Sequence, residues 1–275
     1  MADATEIALR RAERVSALGS VVTALENLAT MRSFDDGELL SWRVARTRFG
    51  WMTGKRSRAL DTAFGKRGMG VLFGLRALSG TSLVVGRGGE AARRTASTYL
   101  AGSSYALRAR SPYGSDGAEV MLGLTQVALA LAAWFPGDDR ARKACLWFIA
   151  GQSSLSYSVA GMAKLASPVW RDGTALRDLF RTKLFGHPAV FAYLRDKPAL
   201  SRALGWATIA GETLFPLVLI APKPIVRTVL AAGAGFHVAN ASVMGLNRFV
   251  WSFLSTYPAI DFCARALRGA EDGAR

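Results

Sequence analysis

The sequence holds polar side chains inside long apolar runs, and these are its best candidates for chemistry. Lys164 ends one run, Glu212 lies near the centre of the next, and His237 and Asn240 lie within a third. A charge at membrane depth costs about 2.5–3.5 kcal/mol on insertion scales, so residues of this kind are candidates for function. Because His237 and Asn240 are three residues apart, a helix would point both toward the same neighbour.

Lys164 belongs to a stripe along one side of a predicted helix. Tyr157, Ala160, Gly161 and Lys164 share that side, and Ser153 lies one turn earlier. A bundle of helices can bring the lysine together with the acid, the histidine and the asparagine of the other runs. The sequence therefore predicts one polar cluster inside the bundle.

Structural roles for the same residues stay open at this stage. Lys164 can extend its amine to the membrane surface, as lysines at helix ends do. Glu212 can form a structural ion pair with Arg202 or Arg76, and His237 can simply form a hydrogen bond between helices, as can the asparagine beside it. Trp170 is typical of an aromatic anchor at the membrane interface.

The elements that must position these residues are long apolar segments. A helix that crosses the hydrocarbon core needs about 20 mostly apolar residues. Four runs approach that length, two weaker runs precede them, and a short one follows. The four long runs are residues 120–137, 144–163, 203–222 and 228–247. The two weaker runs are residues 68–86 and 95–107, and the short one is residues 249–260. None alternates polar and apolar residues with period two, which excludes a barrel. We predict an all-α polytopic transmembrane bundle of about six spans, with a large soluble helical protein as the alternative.

The first 66 residues differ, with eleven Lys and Arg and eight Asp and Glu. Residues 5–30 predict an amphipathic helix. Its apolar side is formed by Ile7, Val15, Leu18, Val22, Leu25 and Leu28. Acids within this stretch argue against a signal peptide, and the basic residues favour a cytoplasmic N-terminus. A second amphipathic stretch, residues 171–185, is expected to lie flat at the headgroups. We therefore divide the chain into a basic N-terminal region (1–66), a transmembrane bundle (67–261) and a polar C-terminal tail (262–275).

Composition and missing motifs exclude several other classes. The 275 residues are 51% hydrophobic, with mean hydropathy +0.19 and net charge +15, which is typical of apolar spans joined by basic loops. No nucleic-acid-binding pattern accompanies the charge, so we expect no nucleic-acid partner. His187 and His237 are fifty positions apart without a ligand motif, so no metal is expected. Cys145 and Cys263 cannot build a disulfide framework.

A longer pattern surrounds Lys164. Residues 152–165 contain Tyr-x-x-Ala-Gly-x-x-Lys-Leu, and Trp170-x-x-Gly173 follows. This pattern resembles the signature of the HTTM domain, the membrane domain shared by vitamin K-dependent γ-glutamyl carboxylases and short bacterial proteins. Glu212 followed by a proline is similar to the family's acidic helix, and the segment from Phe236 to Asn240 is similar to its Phe-His-x-x-Asn segment. The likeness covers residues 110–260.

The resemblance implies a role for each matching residue. Lys164 would be the base that deprotonates a reduced, vitamin K-like quinone, and His237 would act with it. Such a base must be a neutral amine, which burial favours because desolvation disfavours the charged form. The residues that would bind the quinol are Tyr157, Gly161, Trp170, Asn240 and Glu212. The implied activity is that of a carboxylase-like, quinol-dependent lyase or oxygenase.

Two functions follow from the resemblance. The first is a multi-pass cell-membrane protein with a lysine-centred site for a lipophilic quinol. The second is a non-catalytic membrane partner in the maturation or export of a secreted toxin peptide, as for the SdpB-like proteins. The carboxylases continue into a large extramembrane region that holds their peptide substrate, whereas this sequence ends fourteen residues after Asp261. Peptide carboxylation is therefore not expected, and the predicted partners are membrane lipids, the quinol, and the secreted peptide or its export proteins.

Overall fold

The protein is all-helical wherever its structure is described. The computed structural model describes residues 3–50, 54–110 and 116–273, and no strand occurs in those ranges. This confirms the predicted all-α class. The chain forms two compact units, the first covering Met1–Cys145 and the second Leu146–Arg275. These units do not coincide with the boundaries predicted at residues 66 and 261.

The first unit contains six helices in its described residues. They are α1 (Ala4–Ala29), α2 (Trp42–Ala45), α3 (Gly54–Phe64), α4 (Lys66–Val85), α5 (Gly89–Arg110) and α6 (Gly117–Trp134). The next helix, α7 (Asp139–Ala166), begins in the first unit and continues into the second. Within the first unit α1 packs mainly against α4, and α5 packs against both α4 and α6.

The second unit contains short helices followed by longer ones. They are α8 (Pro168–Arg171), α9 (Thr174–Phe180), α10 (Pro188–Arg195), α11 (Pro198–Thr213), α12 (Lys223–Met244), α13 (Asn247–Leu254) and α14 (Tyr257–Gly273). A 3₁₀ segment, Phe215–Leu219, connects α11 toward α12 and packs against α14. The segment predicted to be a polar tail from residue 262 is thus part of α14, and Phe262 and Cys263 are buried.

Local sequence explains where several helices begin and end. Asp3 caps α1, because its carboxylate accepts a hydrogen bond from the backbone N–H of Thr5. Asp116 caps α6 in the same way. Gly86 ends α4 and Gly245 ends α12, both with positive φ, a conformation that glycine adopts without steric cost.

Helix α1 forms as predicted, but its large apolar side is not its buried side. Ile7, Leu18 and Leu25 are exposed, whereas the buried side is formed by small residues such as Ala8 and Ala12. Small residues let helix backbones approach closely, which is how helices associate in lipid. The sequence pattern alone could not tell whether the larger apolar residues face the protein or its surroundings.

Helix α4 has a buried stripe and an exposed apolar stripe. Its exposed stripe consists of Val71, Leu75, Leu78 and Val85, which follow one another at helical spacing. By length and composition, α4 and α6 are the two described helices able to cross a membrane, with 28% and 56% of their apolar windows buried. The structure thus supports two candidate spans, and six spans remain a prediction.

The predicted run 203–222 is not one continuous α-helix. Helix α11 ends at Thr213, and a 3₁₀ segment follows from Phe215. Pro216 explains the break, because proline disfavours the α conformation in the residue before it and lacks an N–H donor. The break lies immediately after Glu212 and places irregular backbone beside a predicted site residue.

Candidate functional site

Lys164 and Glu212 form an ion pair within the second unit. Their Nζ and Oε2 atoms are 2.5 Å apart, and the two side chains are 21% and 11% exposed. The lysine Nζ also donates to the Ala160 carbonyl and lies 5.3 Å from the centroid of the Trp170 ring. Lys164 is therefore held from three sides by an acid, a carbonyl and an aromatic face.

The ion-pair partner of Glu212 is Lys164 and neither of the two arginines that the sequence suggested. The carboxylate bonds to Lys164, whereas Arg202 donates through Nε to the carbonyl of Asp172. Arg76 lies in the first unit, and the hydrogen bonds that it forms with the described residues there go to groups other than acids. Its guanidinium donates to the Leu100 carbonyl and to three serine hydroxyls, those of Ser20, Ser103 and Ser104. Serines on α1 and α5 therefore supply acceptors for Arg76, and the open alternative of an ion pair between Arg76 and Glu212 is not observed in the part of the chain that the structure describes.

Gly161 brings α7 against the backbone at the end of α11. A Cβ at this position would lie within 3.0 Å of the backbone nitrogen and hydroxyl of Thr213 and of the carbonyl carbon of Glu212. A residue with any side chain would push the two helices apart. Gly161 thus sets the distance across which Lys164, one turn later, reaches Glu212.

A second polar group surrounds Tyr157, two turns before Lys164. The Tyr157 hydroxyl is 2.6 Å from Nε2 of His237 and 2.9 Å from the Tyr257 hydroxyl. Its ring stacks on Phe215 with centroids 3.9 Å apart, and the His237 ring stacks on Phe253 at 4.6 Å. Three groups that can exchange protons are therefore enclosed by aromatic rings.

Two buried polar atoms in this region have no hydrogen-bond partner among the described residues. They are Nδ1 of His237, a residue that is 3% exposed, and Oγ1 of Thr213. A buried polar atom without a partner costs about 1–3 kcal/mol. Because Nε2 of the histidine already meets Tyr157, its Nδ1 is the atom that a ligand could satisfy.

The structure brings together two pairs of the predicted site residues rather than one cluster. Lys164 meets Glu212, and Tyr157 meets His237. The two pairs are separated by two turns of α7, a rise of about 10 Å. Asn240 is half-buried and forms no hydrogen bond within the described part of the chain, so it joins neither pair.

The Trp-x-x-Gly segment is fixed against the start of α11. Gly173 has φ +88°, and a Cβ there would lie within 3.0 Å of the Arg202 backbone. The Ser201 hydroxyl donates to the Gly173 carbonyl, and the Trp206 indole donates to the carbonyl of Arg171. These contacts hold Trp170, which precedes them, beside Lys164.

Asp172 organises the same turn from its exposed side. Its carboxylate accepts hydrogen bonds from the backbone N–H and the hydroxyl of Thr174, at 2.8 and 2.7 Å. These bonds lower the pKa of Asp172 below its usual range, since they stabilise the carboxylate, and Arg202 and Arg177 add to the effect. The turn that leads into α9 therefore depends on an ionised aspartate.

Sequence reasoning missed three residues of this region, Tyr257, Phe215 and Thr213. Tyr257 bonds to a tyrosine 100 positions away, and nothing in the local sequence signals that contact. The proline after Phe215 was a usable signal, because it predicts a helix break next to Glu212. No group of three or more His, Cys, Asp or Glu is placed to hold a metal ion within the residues that the structure describes.

Comparisons with known proteins add no relative. The chain matches no family model, and neither the curated proteins nor the solved structures give a match to it.

Proposed function

We propose that the chain is a multi-pass protein of the cell membrane, similar to HTTM proteins. The support comes from apolar residues on the outside of its helices. On α7 the exposed residues Phe148, Leu155, Val159 and Met162 lie along one side, as the exposed apolar stripe does on α4. Such continuous apolar surface is costly in water and normal against lipid.

We further propose that Lys164 is the base in a site for a lipophilic quinol-type ligand. The observation that carries this proposal is the partly buried Lys164–Glu212 pair, packed against a helix break. A lysine used only as an interfacial anchor needs no buried acid. An acid in contact with the amine gives the lysine proton a place to go.

The surrounding residues fit an aromatic ligand that carries hydroxyl groups. A reduced quinone would supply a weakly acidic hydroxyl and the electrons of an oxidisable ring. Trp170 and Lys164, both partly exposed, offer an aromatic face and a proton acceptor to such a ring. The unpaired Oγ1 of Thr213, next to Glu212 on α11, and Nδ1 of His237, on α12 beside Tyr157, offer further polar atoms.

Proton transfer in this site begins within the Lys164–Glu212 pair. Glu212 takes a proton from the Lys164 ammonium, which leaves a neutral carboxylic acid and a neutral amine. The amine then takes the proton of a hydroxyl group bound beside it and becomes an ammonium again. Tyr157 orients the His237 imidazole through their shared hydrogen bond, the imidazole exchanges protons in support of Lys164, and the aromatic rings around the pair exclude water.

The membrane assignment is tested by extraction. We expect alkaline carbonate to leave the chain in the membrane pellet, whereas detergent should release it. Release by carbonate alone would contradict the assignment, because a bundle that spans the bilayer is held by its apolar surface rather than by charge.

The site is tested by Lys164→Arg, with Lys143→Arg as the matched control. Arginine keeps the charge and the reach but cannot act as a base near neutral pH. Lys143 lies on the same helix and also pairs with an acid, Asp139, but it is half exposed. The quantity to measure is the rate of oxygen consumption by purified protein supplied with a reduced naphthoquinone. Lys164→Arg should lower the rate about 100-fold or more, and the control should not.

A different outcome would favour the alternative function. Full activity of Lys164→Arg in the phenotype that the gene confers would remove the catalytic role. The non-catalytic role, as a membrane partner in the maturation or export of a secreted peptide, would then stand. Genes for a secreted peptide beside this one would support that second function.

A further inference from the structure

The end of α4 and the start of α5 enclose a small basic cavity in the first unit. Its volume is about 70 Å³, and three arginines, Arg10, Arg87 and Arg93, line it together with Ser82 and Glu90. The charged residues that line it sum to +2. That volume holds several water molecules or one small anion.

The innermost of these arginines has a donor to spare. Arg93 is 6% exposed, and its Nε donates to the Glu13 carboxylate at 2.9 Å. The Ser97 hydroxyl donates to the same carboxylate at 2.7 Å. The Nη2 group of Arg93 is buried and has no hydrogen-bond partner among the described residues. An acceptor supplied from the cavity would remove this defect.

Arg87 is a second cation without a partner. It is exposed in the connection between α4 and α5, and no acid pairs with it in the described residues. The connection turns through Gly86, Gly88 and Gly89, all with positive φ, and the first and last of these glycines line the cavity. Helix α5 then begins at Gly89, and the first N–H groups of a 22-residue helix attract negative charge.

The neighbouring charges do not cancel this attraction. Glu90 pairs with Arg10 at 2.7 Å, and Glu6 pairs with Arg10, Arg93 and Arg142. Each acid near the cavity therefore already has its own cation, as Glu13 has Arg93. Among the described residues, the cationic groups that remain without an acidic partner here are the guanidinium of Arg87 and the Nη2 group of Arg93.

We propose that this cavity binds a phosphate group. The combination of several guanidiniums and a helix N-terminus is the chemistry that recognises phosphate oxygens. The phosphate can belong to the headgroup of an anionic phospholipid or to a free phosphate ion. The inference does not depend on the proposed quinol site, since every residue involved lies in the first unit.

The test compares Arg87→Ala with Arg11→Ala. Both arginines are exposed and neither forms an ion pair in the described residues, but Arg87 lines the cavity and Arg11 does not. Neither change removes a partner from a buried acid, so both variants should fold. Arg93→Lys is a third variant, which keeps the charge beside Glu13 but removes the guanidinium edge.

Two probes distinguish the two sources of phosphate. In detergent, binding of inorganic phosphate is followed by the rise in melting temperature, with chloride at matched ionic strength as reference. In lipid nanodiscs, co-purified phosphatidylglycerol is measured against phosphatidylcholine. Arg87→Ala and Arg93→Lys should each weaken the interaction with the preferred probe about tenfold, and Arg11→Ala should not.

Each result decides the proposal. Stabilisation by inorganic phosphate that Arg87→Ala weakens supports a site for the free ion. Selective retention of phosphatidylglycerol, weakened by the same variants and without an effect of inorganic phosphate, supports a headgroup site. No preference for either probe, or an equal loss in Arg11→Ala, would overturn the proposal, because the cavity would then contribute only general positive charge.

Discussion

The two units bury different kinds of polar residue. In the first unit the buried cations are arginines, Arg76, Arg93 and Arg110, and arginine as a residue type is a poor proton acceptor. In the second unit the enclosed polar residues are a lysine with its glutamate, a histidine and two tyrosines, which can all exchange protons. Buried charge is common to both units, so it does not by itself mark a site of chemistry.

The partners of these residues differ as well. Arg76 is surrounded by three serine hydroxyls and a carbonyl, and Arg110 by two carbonyls and the rings of Phe34 and Trp42. Such contacts hold a fixed charge in one place. In the second unit Lys164 pairs with Glu212 and His237 with Tyr157, and each of these side chains can exchange a proton with its partner. We infer that the buried cations of the first unit serve architecture and, at Arg93, anion binding, whereas the buried groups of the second unit are suited to proton exchange.

The largest effect is expected from breaking the architecture of the first unit. Arg93→Ala leaves Glu13, which is 3% exposed on its side chain, without the cation that bonds to it directly, and Arg10 at 3.9 Å replaces that bond only weakly. Removing one partner of a buried ion pair costs about 3–5 kcal/mol. The free energy of unfolding in detergent should fall by that amount. The control is Arg43→Ala, whose pair with Asp36 is 3.6 Å long and exposed, and which should change stability by less than about 1 kcal/mol.

A smaller effect is expected at the closest backbone approach of the second unit. Gly161→Ala forces a methyl group against Thr213, and overpacking of this kind costs about 1–3 kcal/mol. The change should also separate Lys164 from Glu212 and lower activity. Gly151→Ala on the same helix has open space at its Cβ and should be neutral or stabilising. Equal stability of the two variants would contradict the close packing seen here.

His237→Gln tests whether the histidine serves only as a hydrogen-bonding group or also exchanges protons. Glutamine can still accept a hydrogen bond from Tyr157, so unfolding should change by no more than about 1 kcal/mol. Function should nevertheless be lost, because an amide cannot exchange a proton as an imidazole does. Tyr257→Phe removes the other partner of Tyr157 but keeps the imidazole, so it should retain function. A fully active His237→Gln would assign the histidine to packing alone.

The smallest effect is expected at the exposed turn before α9. The pKa of Asp172 is lowered in the folded protein, first by the backbone N–H of Thr174. A lowered folded-state pKa contributes stability that is present above the unfolded pKa of about 3.9 and is lost as the pH falls through the folded value. Asp172→Asn should therefore melt slightly earlier than the wild type at pH 7. The two melting temperatures should converge in strong acid, and a constant difference would exclude this linkage.

Much of the fold is predictable because apolar runs are local. The run at 144–163 lies within α7, and the run at 228–247 overlaps α12. The end of α11 at Thr213 is less evident, since it depends on a proline within a run that otherwise reads as continuous. The outward side of α1 is not predictable by the same means, because Ile7, Leu18 and Leu25 suit a protein core and a lipid surface equally well.

The site is predictable only in part for a similar reason. The side of α7 that carries Tyr157 and Lys164 follows from helical spacing, and both residues do meet polar partners. Which partner each one meets depends on how separate helices pack. The choice of Glu212 for Lys164, and of Tyr257 as a partner of Tyr157, is made across 48 and 100 positions of chain. No local pattern contains that information.

The Glu13–Arg93 pair also has a consequence for the order in which the first unit can assemble. Its members are 80 residues apart, so a ribosome completes α1 long before it reaches the arginine. Burying a glutamate without its cation costs about 3–5 kcal/mol, and α1 should therefore pack into the first unit only after α5 has been synthesised. Chains that end before residue 93 should leave α1 open to protease, and full-length chains should protect it. The ion pair would then fix the step of biogenesis at which the first helix packs against its neighbours.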